Sequence, residues 1–318
     1  MAIGLQLLVQ ICQMALVLAL APLFAGYVRK VKAHLLRRQG PPLAQPYREL
    51  LRLLRKDVVL ADSASWVFRV APYLIFAATW VALSLVPTFA TGLVFSYAAD
   101  VIAIVALLGS ARFMLALAGL DVGTSFGGIG SSREMLIASL AEPAMLMVVF
   151  TLSLLAGSTQ LSSIAASMQA SDVGLRFSIA LALIGLVMVA LAENSRIPID
   201  NPATHLELTM VHEAMILEYS GRHLALIEAA AFLKLLLYVS VIACVFFPWG
   251  IAISGQGPAA YFAGIGVYLL KLAAGGFVLA VFETAIAKMR VFRVPDFLGA
   301  ALMLGFLATL LLFVTLAG

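Results

Sequence analysis

Charge and cysteine are both scarce. Charged side chains make up 11% of the 318 residues and hydrophobic ones 63%, whereas soluble domains carry about 25% charged and about 45–50% apolar residues. That deficit excludes a soluble globular domain. The two cysteines, Cys12 and Cys244, stand far apart in apolar runs with no C-x-x-C pair, so they read as inert buried thiols and no iron–sulfur or zinc site is expected on this chain. The glycine-rich Gly123-Thr-Ser-Phe-Gly-Gly-Ile-Gly130 lacks a Walker lysine and follows no strand, which argues against a phosphate loop. It reads as a flexible turn between closely spaced helices, its glycines permitting close approach to a partner. His205, His212 and Glu213 form no H-E-x-x-H or E-x-x-H pattern, so a metal site is not expected there. Strict repeats and low-complexity linkers are also lacking, and residues 1–318 read as one integral membrane domain.

What is abundant is apolar length. Eight runs of about twenty residues or more predict an all-α, eight-span membrane protein: Ile3 to Val28, Trp66 to Phe89, Ala98 to Leu120, Met135 to Leu155, Gly174 to Ala192, Leu224 to Phe247, Ala260 to Phe282 and Phe297 to Leu316. The first run lacks a basic leading region and exceeds a signal-peptide core, so it reads as a retained span. Arg29 to Lys56, Asp121 to Arg133, Glu193 to Arg222 and Thr284 to Pro295 hold most of the lysines and arginines, and residues 90–97, 156–173 and 248–259 hold none. The positive-inside rule places the basic segments in the cytoplasm and both termini in the periplasm. The net charge of +4 is this asymmetry and does not indicate nucleic acid.

Three features carry the polar chemistry. The first is an amphipathic helix over about 46–56, with Tyr47, Leu50, Leu51 and Leu54 on one face and Arg48, Arg52 and Arg55 on another; it is too short to cross and belongs in the interface. The second is the loop 193–222, which gathers Glu193, Asp200, His205, Glu207, Glu213 and Glu218 between two apolar runs. Pro198 and Pro202 break the helix there, and Thr204 is placed to cap a short helix from His205 onward. The third is a row of ionisable groups inside the spans: Arg112, Glu142, Lys234 and Lys271, with Glu228 and Glu283 nearer the cytoplasm. Arg112 lies nine residues before Asp121 and Glu142 nine after Arg133, so antiparallel neighbours would bring the two level, roughly 13 Å inside the membrane. An unpaired charge at mid-span costs about 2.5–3.5 kcal/mol, which favours a structural ion pair, a proton relay, or both. Asp100 and Asp172 read as solvated at the outer face.

Arg38-Gln-Gly-Pro, Gln45-Pro-Tyr-Arg-Glu-Leu-Leu-Arg, Ser65-Trp-Val-Phe-Arg, the stretch Ala111 to Glu134, Ala141-Glu-Pro, Phe247-Pro-Trp-Gly and Phe282-Glu-Thr together resemble the family of respiratory complex I subunit 1. Within it they look like the membrane subunits of energy-converting NiFe hydrogenases and formate hydrogenlyase. The resemblance implies a non-catalytic inner-membrane subunit of a prokaryotic complex, without a redox centre of its own. It implies as partners a NiFe-hydrogenase-like large subunit, an iron–sulfur small subunit and antiporter-like membrane subunits. It makes Arg38, Gln45, Tyr47, Glu49, Arg52, Arg133, Arg196, Tyr219 and Arg222 candidates for partner docking or a quinone entrance. Proton-relay candidates are Arg112, Asp121, Glu142, Glu193, Asp200, His205, Glu207, Glu213, Glu218, Glu228, Lys234, Lys271 and Glu283. The chain departs from the family pattern where Ala203 and His205 replace usual glutamates and where three residues are inserted before Glu218-Tyr-Ser-Gly. Two alternatives stay open: a quinone-site subunit, with Tyr47 and the loop acids at the quinone head, and a free-standing secondary transporter.

Overall fold

The computed structural model describes residues 2–170, 177–196, 211–253, 257–287 and 293–317. In chain order the helices are α1 (Ala2–Leu35), α2 (Gln45–Leu54), α3 (Trp66–Leu85), α4 (Val101–Asp121), α5 (Ser125–Ala156), α6 (Leu161–Ala170), α7 (Phe177–Glu193), α8 (His212–Ile216), α9 (Gly221–Val245), α10 (Pro258–Ala285) and α11 (Val294–Ala317). Two residue pairs, β1 (Ala90–Thr91) and β2 (Ala252–Ile253), form a parallel ladder between the α3–α4 and α9–α10 connections.

Seven of these helices are long and apolar enough to cross a membrane: α1, α3, α4, α5, α9, α10 and α11. The fifth expected span is represented by α7, apolar but only 17 residues long, about 25 Å of helix against a hydrocarbon core near 30 Å. The chain is thus mostly helical and multi-pass, with seven helices of spanning length among the described residues. α9 is the axis of the bundle, 61% of its apolar window being enclosed against 28% for α10. It packs on α1, α2, α3 and α10, and its Leu233, Leu236, Leu237 and Val245 are fully buried. α11 lies across α5 and α7, and α3 across α4 and α9.

Polar side chains fix the helix ends. Ser65 caps α3 by accepting from the Val67 N–H at 3.1 Å, and its own N–H donates to Asp121 Oδ2 at 2.8 Å, which ties the start of α3 to the end of α4. Asp100 caps α4 through the Ile102 N–H at 2.8 Å and accepts from Thr159 Oγ1 at 2.5 Å. Asp100 therefore joins the α3–α4 and α5–α6 connections while remaining half-exposed.

Two further expectations change. The glycine-rich stretch is a turn only around Gly123, whose φ is 73°; from Ser125 it is the first part of α5, capped by Thr124. Its close approach is to the chain itself: a Cβ at Gly130 would lie 2.9 Å from the Val211 carbonyl and 3.0 Å from Ala214 Cβ, so this glycine is what lets α8 rest on α5. Of the two cysteines, Cys244 is buried but Cys12 is exposed on the outward face of α1. Apolar surroundings in a membrane are supplied by lipid as readily as by protein, so an apolar run does not say which.

Candidate functional site

The charges inside the spans converge on Arg112. Its side chain, 5% exposed, projects from the middle of α4 towards three carboxylates on two other helices. Nη2 pairs closely with Glu193 Oε1 at the end of α7, Nε lies 3.4 Å from Glu134 and Nη1 3.5 Å from Glu142, both on α5. Nε and Nη1 make no hydrogen bond, so the Glu134 and Glu142 contacts are electrostatic and only the Glu193 contact is tight. Glu134 and Glu193 are as buried as Arg112, whereas 44% of the Glu142 side chain is exposed. Lys234 and Tyr238 on α9 stand within electrostatic reach of this group, Lys234 of Glu134 and Arg112, Tyr238 of Arg112 and Glu142. Pro143 directly follows Glu142 inside α5 and deprives the Ser139 carbonyl of its helical partner there.

On one side the cluster opens into a polar chamber of about 260 Å³. Glu193 and Lys234 form the wall shared with the Arg112 group, and Arg29, Glu213, Glu228 and Glu283 line the rest with Lys32, Arg196 and His212. Glu283, its side chain 2% exposed, is held by Lys32 at 2.7 Å and by Arg196 at 3.0 Å. On the other side, Arg112 and Glu142 line a cleft of about 490 Å³ between α4 and α5. Gly109 and Ser110 face Glu142 across it, and a Cβ at Gly109 would come 3.3 Å from Glu142 Oε1. One continuous run of ionisable groups thus leads from the chamber through Glu193 and Lys234 to Arg112 with Glu134, and from there through Glu142 to the cleft.

The remaining candidates lie elsewhere. Lys271 sits apart, its ammonium 4.7 Å from the centre of the Trp249 ring. Asp121 is occupied at the start of α3, and Glu218 is exposed. Asp200, His205 and Glu207, with the helix expected from His205, lie outside the described residues. Among the docking candidates Arg38, Arg52 and Arg222 are exposed, Arg133 is half-buried, and Gln45 donates to Glu49 at 3.3 Å while Glu49 pairs with Arg29 at 3.4 Å. Tyr47 does not line the chamber; its hydroxyl donates to the Ala19 carbonyl and pins α2 to α1. Burial there raises its phenol above the ordinary value. Tyr219 stacks on Phe68 with centroids 3.9 Å apart and donates to the Phe68 carbonyl at 3.0 Å; burial, reinforced by the Asp121 charge, pushes its phenol up.

Sequence reasoning missed Glu134, Lys32 and Arg29. Glu134 stands eight residues before Glu142, a spacing that keeps both within one helical stripe, and Arg29 and Lys32 share a face of α1 at i and i+3.

Comparison with known proteins decides the family. The pattern described as NADH dehydrogenase matches residues 7–315, nearly the whole chain. The chain belongs to this family. Formate hydrogenlyase subunit 4 of Escherichia coli (strain K12) is 32% identical over 295 residues, covering 92% of this chain and 95% of its own length. Hydrogenase-4 component C of the same organism is 32% identical over 240 residues, 76% of this chain and 75% of its own. NADH-quinone oxidoreductase subunit 8 of Rhodothermus marinus is 28% identical over 233 residues, 69% and 66% of the two chains. A chain from the membrane-bound sulfane sulfur reductase, an archaeal respiratory membrane complex, superposes with a TM-score of 0.83 at 18% identity, covering 98% of this chain and all of that one, and shares its fold.

Proposed function

We propose that this chain is the membrane subunit of a hydrogenase-type, complex I-related assembly of the prokaryotic inner membrane, anchoring soluble redox subunits and passing their energy laterally as proton movement. The observation that carries this reading is the uninterrupted charge run from the chamber to Glu142. Three carboxylates around one guanidinium give a proton several acceptors within one side-chain length, which suits transfer better than a closed one-to-one ion pair would. Glu142 ends the run in a cleft open to the side of the bundle, where hydrocarbon would be costly and a neighbouring membrane subunit would not.

In this reading α7 is the fifth of eight spans, the termini are periplasmic, and the segments around α2, α8 and loop 193–222 face the cytoplasm, where the soluble subunits dock. Among the described residues no group of three or more His, Cys, Asp or Glu could hold a metal ion. The NiFe centre and iron–sulfur clusters are assigned to the soluble partners and the antiporter-like subunits to the Glu142 side. The likeness to formate hydrogenlyase subunit 4 along almost the full length of both chains supports the choice of a hydrogenase-type assembly.

The test is the intact complex in proteoliposomes, with electron transfer and proton uptake measured together. Glu193→Gln keeps a hydrogen-bonding side chain beside Arg112 but cannot exchange a proton. It is expected to lower the protons moved per electron at least fivefold while the complex stays assembled. An unchanged ratio would remove the relay from this path.

A further inference from the structure

A third cavity, larger than the chamber and the lateral cleft, meets the charged groups only at its edge, through Arg196 and Tyr238. It is a cleft of about 570 Å³ walled by α7, α9 and α10. α10 packs on α1 and α9 while α11 packs on α5 and α7, so two spans that follow one another in the chain are seated on different partners. The face that α10 turns to the cleft reads Lys271, Ala274, Gly275, Val278, the i, i+3, i+4, i+7 stripe of one helix side. Leu183 and Val187 of α7 and Ile242 of α9 continue the apolar wall.

Lys271 does not fit an apolar wall. Its residue is 9% exposed and stands at the midpoint of α10, and none of the ion pairs among the described residues includes it. Among the described residues it faces the Trp249 ring and stands within electrostatic reach of the Cys244 thiol, and neither offsets more than part of the cost of holding an ammonium away from water. A second observation bears on what fills the space. Gly275 is already closed by α9, where a Cβ would lie 3.0 Å from Val239 Cγ1, but the small, exposed Ala274 leaves room beside the lysine for another membrane helix to approach closely. The cleft side of α10 is otherwise open, Leu270 being 61% and Val278 65% exposed.

We propose that this cleft receives a transmembrane helix of a partner subunit, with an apolar face that lies along Ala274 and Val278 and one Asp or Glu at the level of Lys271. Lipid chains would fill the volume but bring no anion. A lipid phosphate belongs at the membrane surface, and Lys271 lies seven residues, roughly 10 Å of helix, inside Gly264, which rests on the Phe89 and Gly250 carbonyls just past the ends of α3 and α9. A membrane-embedded carboxylate on protein meets both the depth and the charge. The contact lies outside the run from Glu193 to Glu142, so it stands or falls separately from the relay.

The experiment places the photoreactive residue p-benzoylphenylalanine at Val278 in the chain as assembled in the membranes of the producing cell, and identifies the cross-linked peptide by mass spectrometry. The expected adduct is a transmembrane segment of another subunit that contains Asp or Glu within its apolar run. Lys271→Glu should lower the yield at least tenfold, and exchanging the captured carboxylate for lysine should restore at least half of it. Lys271→Met, which removes the charge without adding repulsion, should lower the yield about threefold while the chain stays at its normal level in the membrane. Adducts with phospholipid, quinone or a second copy of this chain alone would overturn the proposal. So would a captured helix without a carboxylate, a yield indifferent to Lys271→Glu or Lys271→Met, or a charge exchange that restores nothing.

Discussion

Removal of Arg112 should be the most damaging single change in the charge run, and the partners that rescue it should follow their burial. Arg112→Leu leaves Glu134 and Glu193, with side chains 8% and 4% exposed, without their shared cation. Breaking a buried pair from one side costs about 3–5 kcal/mol, which is roughly a hundred- to several-thousandfold in a folding or assembly equilibrium. Glu142 is different, because its side chain is 44% exposed and its contact is a loose 3.5 Å. Adding Glu142→Leu to Arg112→Leu should therefore recover little, since the two buried carboxylates remain. Adding Glu193→Leu should recover more, because the tight pair is then replaced as a whole, and Glu134→Leu on top of that should bring most of the stability back. The assay is the thermal midpoint of the purified complex, together with the fraction of chain found in the assembled complex on native gels. If the Arg112→Leu/Glu142→Leu double variant recovers as fully as Arg112→Leu/Glu193→Leu, the ranking by burial is wrong and Glu142 is the true counter-ion.

Glu283→Gln removes the buried charge shared by Lys32 and Arg196, each partly exposed, so the thermal midpoint of the purified complex should fall; an unchanged midpoint would show that the two pairs do not contribute to stability. Tyr219→Phe keeps the stack on Phe68 but loses the hydrogen bond to its carbonyl, for about 1 kcal/mol. Because the folded phenol is raised, the stability it contributes is complete below an unfolded pKa of about 10 and is lost only as pH climbs through the folded value, so the difference between parent and variant should be flat from pH 6 to 9 in thermal melts. Gly221→Ala places a Cβ at φ 52° and within 2.6 Å of the Asp57 carbonyl, so stability, read from thermal melts, should drop by more than the roughly 1–2 kcal/mol of the left-handed conformation alone; a neutral result would mean that the start of α9 shifts freely.

The spans were legible because bilayer solvent imposes one rule on them, an apolar run of sufficient length, and α3, α4, α9, α10 and α11 appear close to where that rule puts them. The level of Arg112 with Glu142 was legible for a related reason, since antiparallel helices convert residue counts into depth. Glu134 was not, because depth says nothing about which way a side chain turns, and the third carboxylate matters only once α4, α5 and α7 are packed together. Lys271 shows the reverse error. Its depth places it in a row with Lys234, yet the fold gives Lys234 to the Arg112 group and sets Lys271 against Trp249 in a separate cleft. The glycine-rich stretch was misjudged because glycine suits both a turn and a helix pressed against backbone, and only the position of α8 decides between them.

The placement of the two cavities that meet the charge run says why a subunit of this kind keeps so many charges in so apolar a chain. Glu283 is bridged at once by Lys32, near the end of α1, and by Arg196, next to the polar loop, so a displacement of either segment changes the balance of charge in the chamber without breaking the bundle. Glu193 and Lys234 share that chamber and touch or face the Arg112 group, so the change is felt there at short range and low dielectric, where a shift of one charge counts for far more than at a wetted surface. The loosest member of the group is Glu142, the one nearest the lateral cleft. In the proposed function, a group gripped tightly at its chamber end and loosely at its lateral end responds to events at the first by changing the second. In the proposed reading, a soluble partner's redox work is done on the segments flanking Glu283, and Glu142 is where a neighbouring membrane subunit would receive it.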